Sequence, residues 1–106
     1  MIDINDFKKI ELRVGEILTV QQVSGSDRLY ALEVDTGGKQ IQLVAGLKPY
    51  YTEDELKGKK IVVVTNLKPA VIKGVTSEGM LLAAVDKEKV GLVTVDKDVP
   101  VGSLVE

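Results

Sequence analysis

Between residues 62 and 84 the chain reads VVVTNLKPAVIKGVTSEGMLLAA. Asn66, Lys68, Lys73, Ser77 and Met80 stand here among Pro69, Gly74 and Gly79, with apolar runs on both sides. Two ammonium groups and two short hydrogen-bonding side chains can hold phosphate oxygens and ribose hydroxyls, the contacts by which an RNA backbone is gripped. The surrounding charge favours that chemistry. Five lysines (57, 59, 60, 68 and 73) and no acid fall between Lys57 and Ser77, while all sixteen acids and the other nine basic residues lie elsewhere. A net charge of −2 therefore conceals a local basic surface on an acidic body, which Glu78 tempers. A purely structural use of the same residues competes: Asn66 suits a strand-end cap, Ser77 a turn with Glu78 and Gly79, and Met80 ordinary core. Lys57, Lys59 and Lys60 equally suit a solvated strand start.

Composition excludes much else. The chain has no Cys and no His, which removes disulfides, thiolate nucleophiles, zinc sites built on sulfur or imidazole, and Ser-His or Cys-His pairs. No two acids stand in a recognisable catalytic setting, and no glycine-rich phosphate loop of the strand-to-helix kind occurs. The expectation is a binding protein, not an enzyme, with no cofactor and no metal. No apolar run approaches the ~20 residues needed to cross a bilayer, and MIDINDFKK lacks a signal peptide's basic-then-apolar layout. A soluble, cytoplasmic protein with no membrane association follows as an expectation.

The elements that must position residues 62–84 follow from pattern. A chain of 106 residues fits one domain, 1–106. Its aromatics are only Phe7, Tyr30, Tyr50 and Tyr51, so the core is aliphatic, and its valines favour strands. DINDFKKI predicts a short helical turn capped by Asp3 or Asn5. LRVGEILTVQQV predicts a long strand whose alternation loses phase near Gly15, where a bulge would bend it to serve two sheets. Tyr30, Leu32 and Val34 alternate with polar positions, and Gly37-Gly38 turns the chain into Ile41, Leu43 and Ala45. Thr52 and Glu55 have capping-box spacing for a small helix ended by Gly58. KIVVVT and MLLAAV, apolar at consecutive positions, predict central strands covered on both faces. DKEK turns into VGLVTV, and the tail DKDVPVGSLVE edges a sheet or meets a partner.

The pattern is all-β, an OB-fold: a five-stranded Greek-key barrel with a short N-terminal helical turn and a small helix between strands 3 and 4. An SH3-like barrel explains the strand count nearly as well, but the helix after the third strand favours OB. From Thr65 roughly fifteen residues pass before the next strand, against a median connection of about 4 to 6. That length predicts a functional loop, kept ordered by Pro69.

The blocks FKKIELRVGEI, GSDRLYALEVD, LVAGL, GKKIVVVTNLKP and GVTSEGMLLAA run in this order over almost the whole chain. Together they resemble the tRNA-binding domain family. Its members occur as free-standing structure-specific tRNA-binding proteins and as the C-terminal domain or β subunit of methionyl-tRNA synthetases. Others are endothelial monocyte-activating polypeptide and yeast synthetase cofactors. The resemblance implies an OB-fold, a homodimer in the short free-standing versions, and binding of tRNA by shape with little sequence preference. Asn66, Lys68, Lys73, Gly74, Ser77 and Met80 match the family's tRNA-contact motif, and Asp27-Arg28-Leu29 matches a second block near the barrel mouth. Arg13 in LRVG matches too, a nucleotide contact and a pairing with Glu11 or Glu16 fitting it equally.

Relatives often carry a basic pair directly after the proline, where this chain has Ala70 and Val71. That departure weakens the charge argument and implies a lower affinity, a load shifted to Lys59 and Lys60, or a different ligand. The candidate RNA-binding set is thus Asn66, Lys68, Lys73, Ser77, Met80, Arg28 and Lys59. Few aromatics lie near the motif, so base stacking is poorly supplied and folded RNA is the expected ligand. Ile4, Tyr50, Tyr51, Val101 and Leu104 are candidates for an apolar dimer interface, while Phe7 suits the core better. The alternative is a chaperone resembling CsaA, which binds peptides on the same fold. That branch tends to lack the lysine held here as Lys68, so NLKP and SEGM favour tRNA, with a methionyl-tRNA synthetase as a further partner.

Overall fold

A Cβ at Gly15 would meet Val34 Cγ1 at 2.8 Å and Val63 Cγ2 at 3.2 Å. Only glycine lets three strands approach so closely, which is why the alternation breaks there. The computed structural model describes residues 1–106, and Gly15 lies in its longest strand, β1 (Leu12–Gln22). β2 (Tyr30–Asp35) pairs with β1 from Glu16 to Gln22, with a register shift between Ile17 and Thr19. β3 (Gln40–Ala45) returns along β2 after the Gly37-Gly38 turn, where both glycines have positive φ. β4 (Lys60–Val64) takes the other edge of β1, from Leu12 to Glu16. One bent strand thus serves both halves of the barrel, the bulge falling just beyond Gly15.

Two one-turn helices close the frame. α1 (Ile4–Phe7) and α2 (Glu53–Leu56) each begin with a reciprocal capping box, Asp3 with Asp6 and Thr52 with Glu55. Such caps satisfy amide groups that a single turn cannot satisfy itself. Gly58, at φ 83, ends α2 and donates its N–H to Ile17 O at 2.8 Å, docking the helix on β1.

The consecutive apolar residues of β4 are all buried because they serve two cores. Ile61 and Val63 join Ile17, Leu32, Val34 and Leu43 inside the barrel. Val62 and Val64 join Leu12 in a smaller cluster, covered by Phe7, Leu82 and Val105. Each such side chain contributes about 1.5 to 3 kcal/mol on leaving water.

The long connection after Thr65 departs from expectation. It is no irregular loop but a β-hairpin, β5 (Ala70–Ile72) against β6 (Val75–Ser77), turned by Lys73 at φ 51 and Gly74 at φ 79. Two successive left-handed residues match a right-handed strand pair, as in a type I′ turn. MLLAAV departs as well. Only β7 (Met80–Leu81) pairs with β4; the chain then breaks at Leu82, and β8 (Ala83–Asp86) forms a separate hairpin with β9 (Lys89–Leu92). Val85 is 69% exposed, so this run is not a covered central strand.

The sheet order is β3-β2-β1-β4-β7, with β10 (Leu104–Val105) added to β1. This is the order of an OB-like barrel, with β7 standing as the fifth strand beside the open edge of β3. The C-terminal segment straps back over β1: Gly102 N–H donates to Val14 O at 2.8 Å, and Lys60 Nζ reaches Asp98 and Val99 O, both at 2.6 Å. No helix is long and apolar enough to cross a membrane.

Candidate nucleic-acid interface

Lys68 and Lys73 are both exposed and make no hydrogen bond or ion pair. Lys68 precedes the β5–β6 hairpin and Lys73 stands at its tip, five residues on, or about 15 Å along an extended chain. Holding a lysine in left-handed backbone costs about 1 to 2 kcal/mol relative to glycine. The fold therefore presents this cation from a conformation lysine does not prefer.

Their polar neighbours do a different job. Asn66 Oδ1 accepts the Glu11 N–H at 2.9 Å, and its Nδ2 donates to Lys9 O at 2.7 Å. The amide thereby ties the start of the connection to the segment entering β1. Ser77 is 5% exposed; its Oγ accepts the Val44 N–H at 3.0 Å and donates to Gly79 O at 3.0 Å. Gly79 passes so close to β4 that a Cβ would meet Val64 O at 2.6 Å. Glu78 is anchored as well, exchanging backbone and side-chain bonds with Gln42 at 2.7 and 3.0 Å. Asn66 and Ser77 thus brace the segment, leaving the lysines as its free charges. Met80, paired with Val64, is 51% exposed.

The remaining candidates are dispersed. Lys59 lies at the opposite end of β4 from Asn66, its backbone between Leu56 and Ile17, so the structure does not bring it to the hairpin. Lys60 is occupied by Asp98, whose carboxyl its bond holds below the ordinary range. Arg28 is exposed and without an ion pair; its backbone O accepts the Lys48 N–H at 3.2 Å, beside the end of β3. Arg13 is committed to Glu11 at 3.1 Å and Gly102 O at 3.0 Å. Glu11 in turn is held below the usual carboxylate pKa by the Thr65 hydroxyl and then by Arg13.

The apolar candidates also divide. Ile4 and Leu104, 63% and 52% exposed, line one groove of about 480 Å³ with Phe7 and Ile10. Tyr51 packs on the barrel core, its hydroxyl accepting the Leu92 N–H at 3.2 Å and donating to Val90 O at 3.3 Å. It is a latch for β8–β9 rather than part of the Ile4 face. Val101 is half-buried where the tail crosses the β2–β3 turn, its O 3.1 Å from where a Gly37 Cβ would stand. Tyr50 opens onto a different groove, on the β3–β8 side. Sequence reasoning missed Gln42 and Val44 as anchors, for which no local signal exists. It also missed the β5–β6 hairpin, although Lys-Gly between AVI and VTS is a two-residue turn flanked by strand formers.

The match to known proteins covers nearly all of the chain. Residues 12–104 match the family described as "Putative tRNA binding domain". The chain is 53% identical over 105 residues to a methionine-tRNA ligase of Methanococcus aeolicus and 49% over 100 residues to that of Nanoarchaeum equitans. These stretches cover 99% and 94% of the chain but only 16% and 13% of the ligases, so it corresponds to a small part of them. The crystal structure of a MetRS related protein from Pyrococcus horikoshii superimposes with a TM-score of 0.94 at 36% identity, covering 100% of this chain and 98% of that one. That of a CsaA chaperone protein from Picrophilus torridus gives 0.93 at 33%, covering 100% of both. An OB-like barrel carrying its motif segment as a braced hairpin, matched from Leu12 to Leu104, belongs to the tRNA-binding domain family.

Proposed function

We propose that this chain is a non-catalytic, structure-specific tRNA-binding module that grips the RNA backbone with little regard to sequence, in the cytoplasm. The observation that carries the reading is the contrast within one segment: Lys68 and Lys73 are free, while Asn66, Ser77 and Glu78 are tied to other strands. A braced backbone presents both lysines with no segment left to order on binding, which favours affinity. Phosphate contacts of this kind fix position without reading bases. Arg28 extends the contact surface, and Met80 offers an apolar side chain beside it. The family match and the methionine-tRNA ligase relatives support tRNA as the ligand and a methionyl-tRNA synthetase as a partner, with this chain in the role of its β subunit. Retardation of unfractionated tRNA that weakens with salt tests it.

The module acts as a homodimer in this reading. Ile4, Ile10 and Leu104 are exposed apolar side chains on one face, and joining two small cationic surfaces raises affinity for one large RNA by avidity. Sedimentation equilibrium should give twice the chain mass, and Leu104→Glu should give the single-chain mass. A parent that sediments as a single chain contradicts this.

A second reading, a CsaA-like chaperone, is favoured by one observation: the groove beside Tyr50 has nine apolar residues among its ten. Binding of an apolar dye with no tRNA retardation would place it first. The free Lys68 argues for RNA.

A further inference from the structure

The groove between the end of β3 and the β8–β9 hairpin has a volume of about 390 Å³, within the range of ligand sites. Branched aliphatic side chains, Val85 among them, form half of its lining; Ala45, Gly46 and Ala83 are small, and Tyr50 and Met80 add a ring and a thioether. Met80 is 51% and Val85 69% exposed. Tyr50 is half-buried, and its hydroxyl makes no hydrogen bond. The three small residues leave room beside the Tyr50 ring for a flat heterocycle. A planar base stacked on a ring, with a polarizable thioether alongside, makes favourable contacts of this kind.

The groove is continuous with the cationic segment. Val44 lines it, and the Val44 N–H is bonded to Ser77 Oγ at the foot of the β5–β6 hairpin. Met80 is both the last residue of the motif and a lining residue. From Ser77 to Lys73 the extended strand covers about 13 Å. At the other end Gly46 lies beside the backbone of Arg28, whose guanidinium has no ion pair. Lys73 and Arg28 thus stand on segments that adjoin the groove, a layout that suits a sugar-phosphate chain delivering a base into it.

We infer that this groove receives an unpaired nucleobase of the bound RNA, stacked on Tyr50 and flanked by Met80 and Val85. The inference rests on the RNA-binding reading and adds to backbone contact a site that senses single-stranded bases. Tyr50 then serves the RNA and not the dimer.

The test uses the full chain and two hairpin RNAs of the same stem, one blunt and one with a short single-stranded tail carrying 2-aminopurine. Tyr50→Ala should lower affinity for the tailed RNA by about tenfold and abolish the quenching of 2-aminopurine fluorescence. Tyr50→Phe, which keeps the ring, should retain both, and no Tyr50 variant should alter blunt-RNA binding. Val85→Ser, at an exposed position that does not threaten folding, should weaken tailed-RNA binding in the same sense. Equal affinity of parent, Tyr50→Ala and Val85→Ser for the tailed RNA overturns the inference. So does an apolar peptide that fills the groove while leaving tailed-RNA binding intact. Failure of the parent to bind either RNA would sink the RNA reading itself and this inference with it.

Discussion

The backbone N–H of Val44 donates to Ser77 Oγ at 3.0 Å, fastening the open edge of β3 to the segment that carries Lys73 and Met80. No other strand pairs with that edge of β3. Ser77→Ala leaves a strand N–H without its partner at a site with little access to water, a loss of about 1 to 3 kcal/mol. Urea titration should show a lower midpoint with an unchanged slope. A variant as stable as the parent would mean that the seam is held by something else.

Lys73 occupies a position in a two-residue turn where asparagine before glycine is preferred. Lys73→Asn should raise stability by about 0.5 to 1 kcal/mol, because asparagine tolerates left-handed backbone. In the proposed reading the same change removes one phosphate contact per chain, so tRNA affinity should fall and the salt dependence lose about one unit of slope per chain. Opposite signs for stability and binding are the expected outcome of thermal melts and titrations on one variant. A gain in both would show that the cation at the tip serves no ligand.

Residues with short-range signals were legible in the sequence, and residues whose partners are distant were not. Asp3 and Thr52 announce caps within a few positions, and the structure has both; the loss of phase near Gly15 announces a bulge, which falls between Ile17 and Thr19. The alternation of Tyr30, Leu32 and Val34 is likewise local. MLLAAV misled because apolar content cannot separate a covered strand from an exposed groove wall; at Leu82, whose N–H still donates to Val62 O while its O accepts the Val93 N–H, the chain passes from β4 to the β8–β9 hairpin. At the candidate site the lysines could be named from charge alone. That Asn66 and Ser77 brace rather than face outward depends on Glu11 and Val44, at sequence separations of 55 and 33. Lys59 joined the candidates because Ala70 and Val71 stand where relatives carry a basic pair, whereas β4 separates it from the hairpin by its own length.

The acid side of the stability curve should carry the mark of Glu11. The Thr65 hydroxyl first, and Arg13 second, hold its carboxyl below the ordinary range. A carboxyl depressed in the folded state stabilises fully above its unfolded value of about 4.3 and loses that contribution as pH falls through the folded value. Thr65→Val removes the largest cause. The Glu11 titration, followed by its side-chain carbon resonance, should move up toward the ordinary range, and stability below pH about 4.3 should fall less steeply than in the parent. An unmoved midpoint would contradict the assignment of Thr65 as the main cause.

The central claim is that two unpaired lysines on one braced hairpin segment carry the grip on tRNA. The most direct measurement is a mobility-shift titration of unfractionated tRNA at two salt concentrations, with the parent and the double variant Lys68→Ala, Lys73→Ala. The account predicts retardation by the parent that weakens with salt, and for the double variant a loss of affinity together with a salt slope lower by about two per chain, about four for a dimer on one RNA. Equal retardation of tRNA by both proteins at both salts would contradict it.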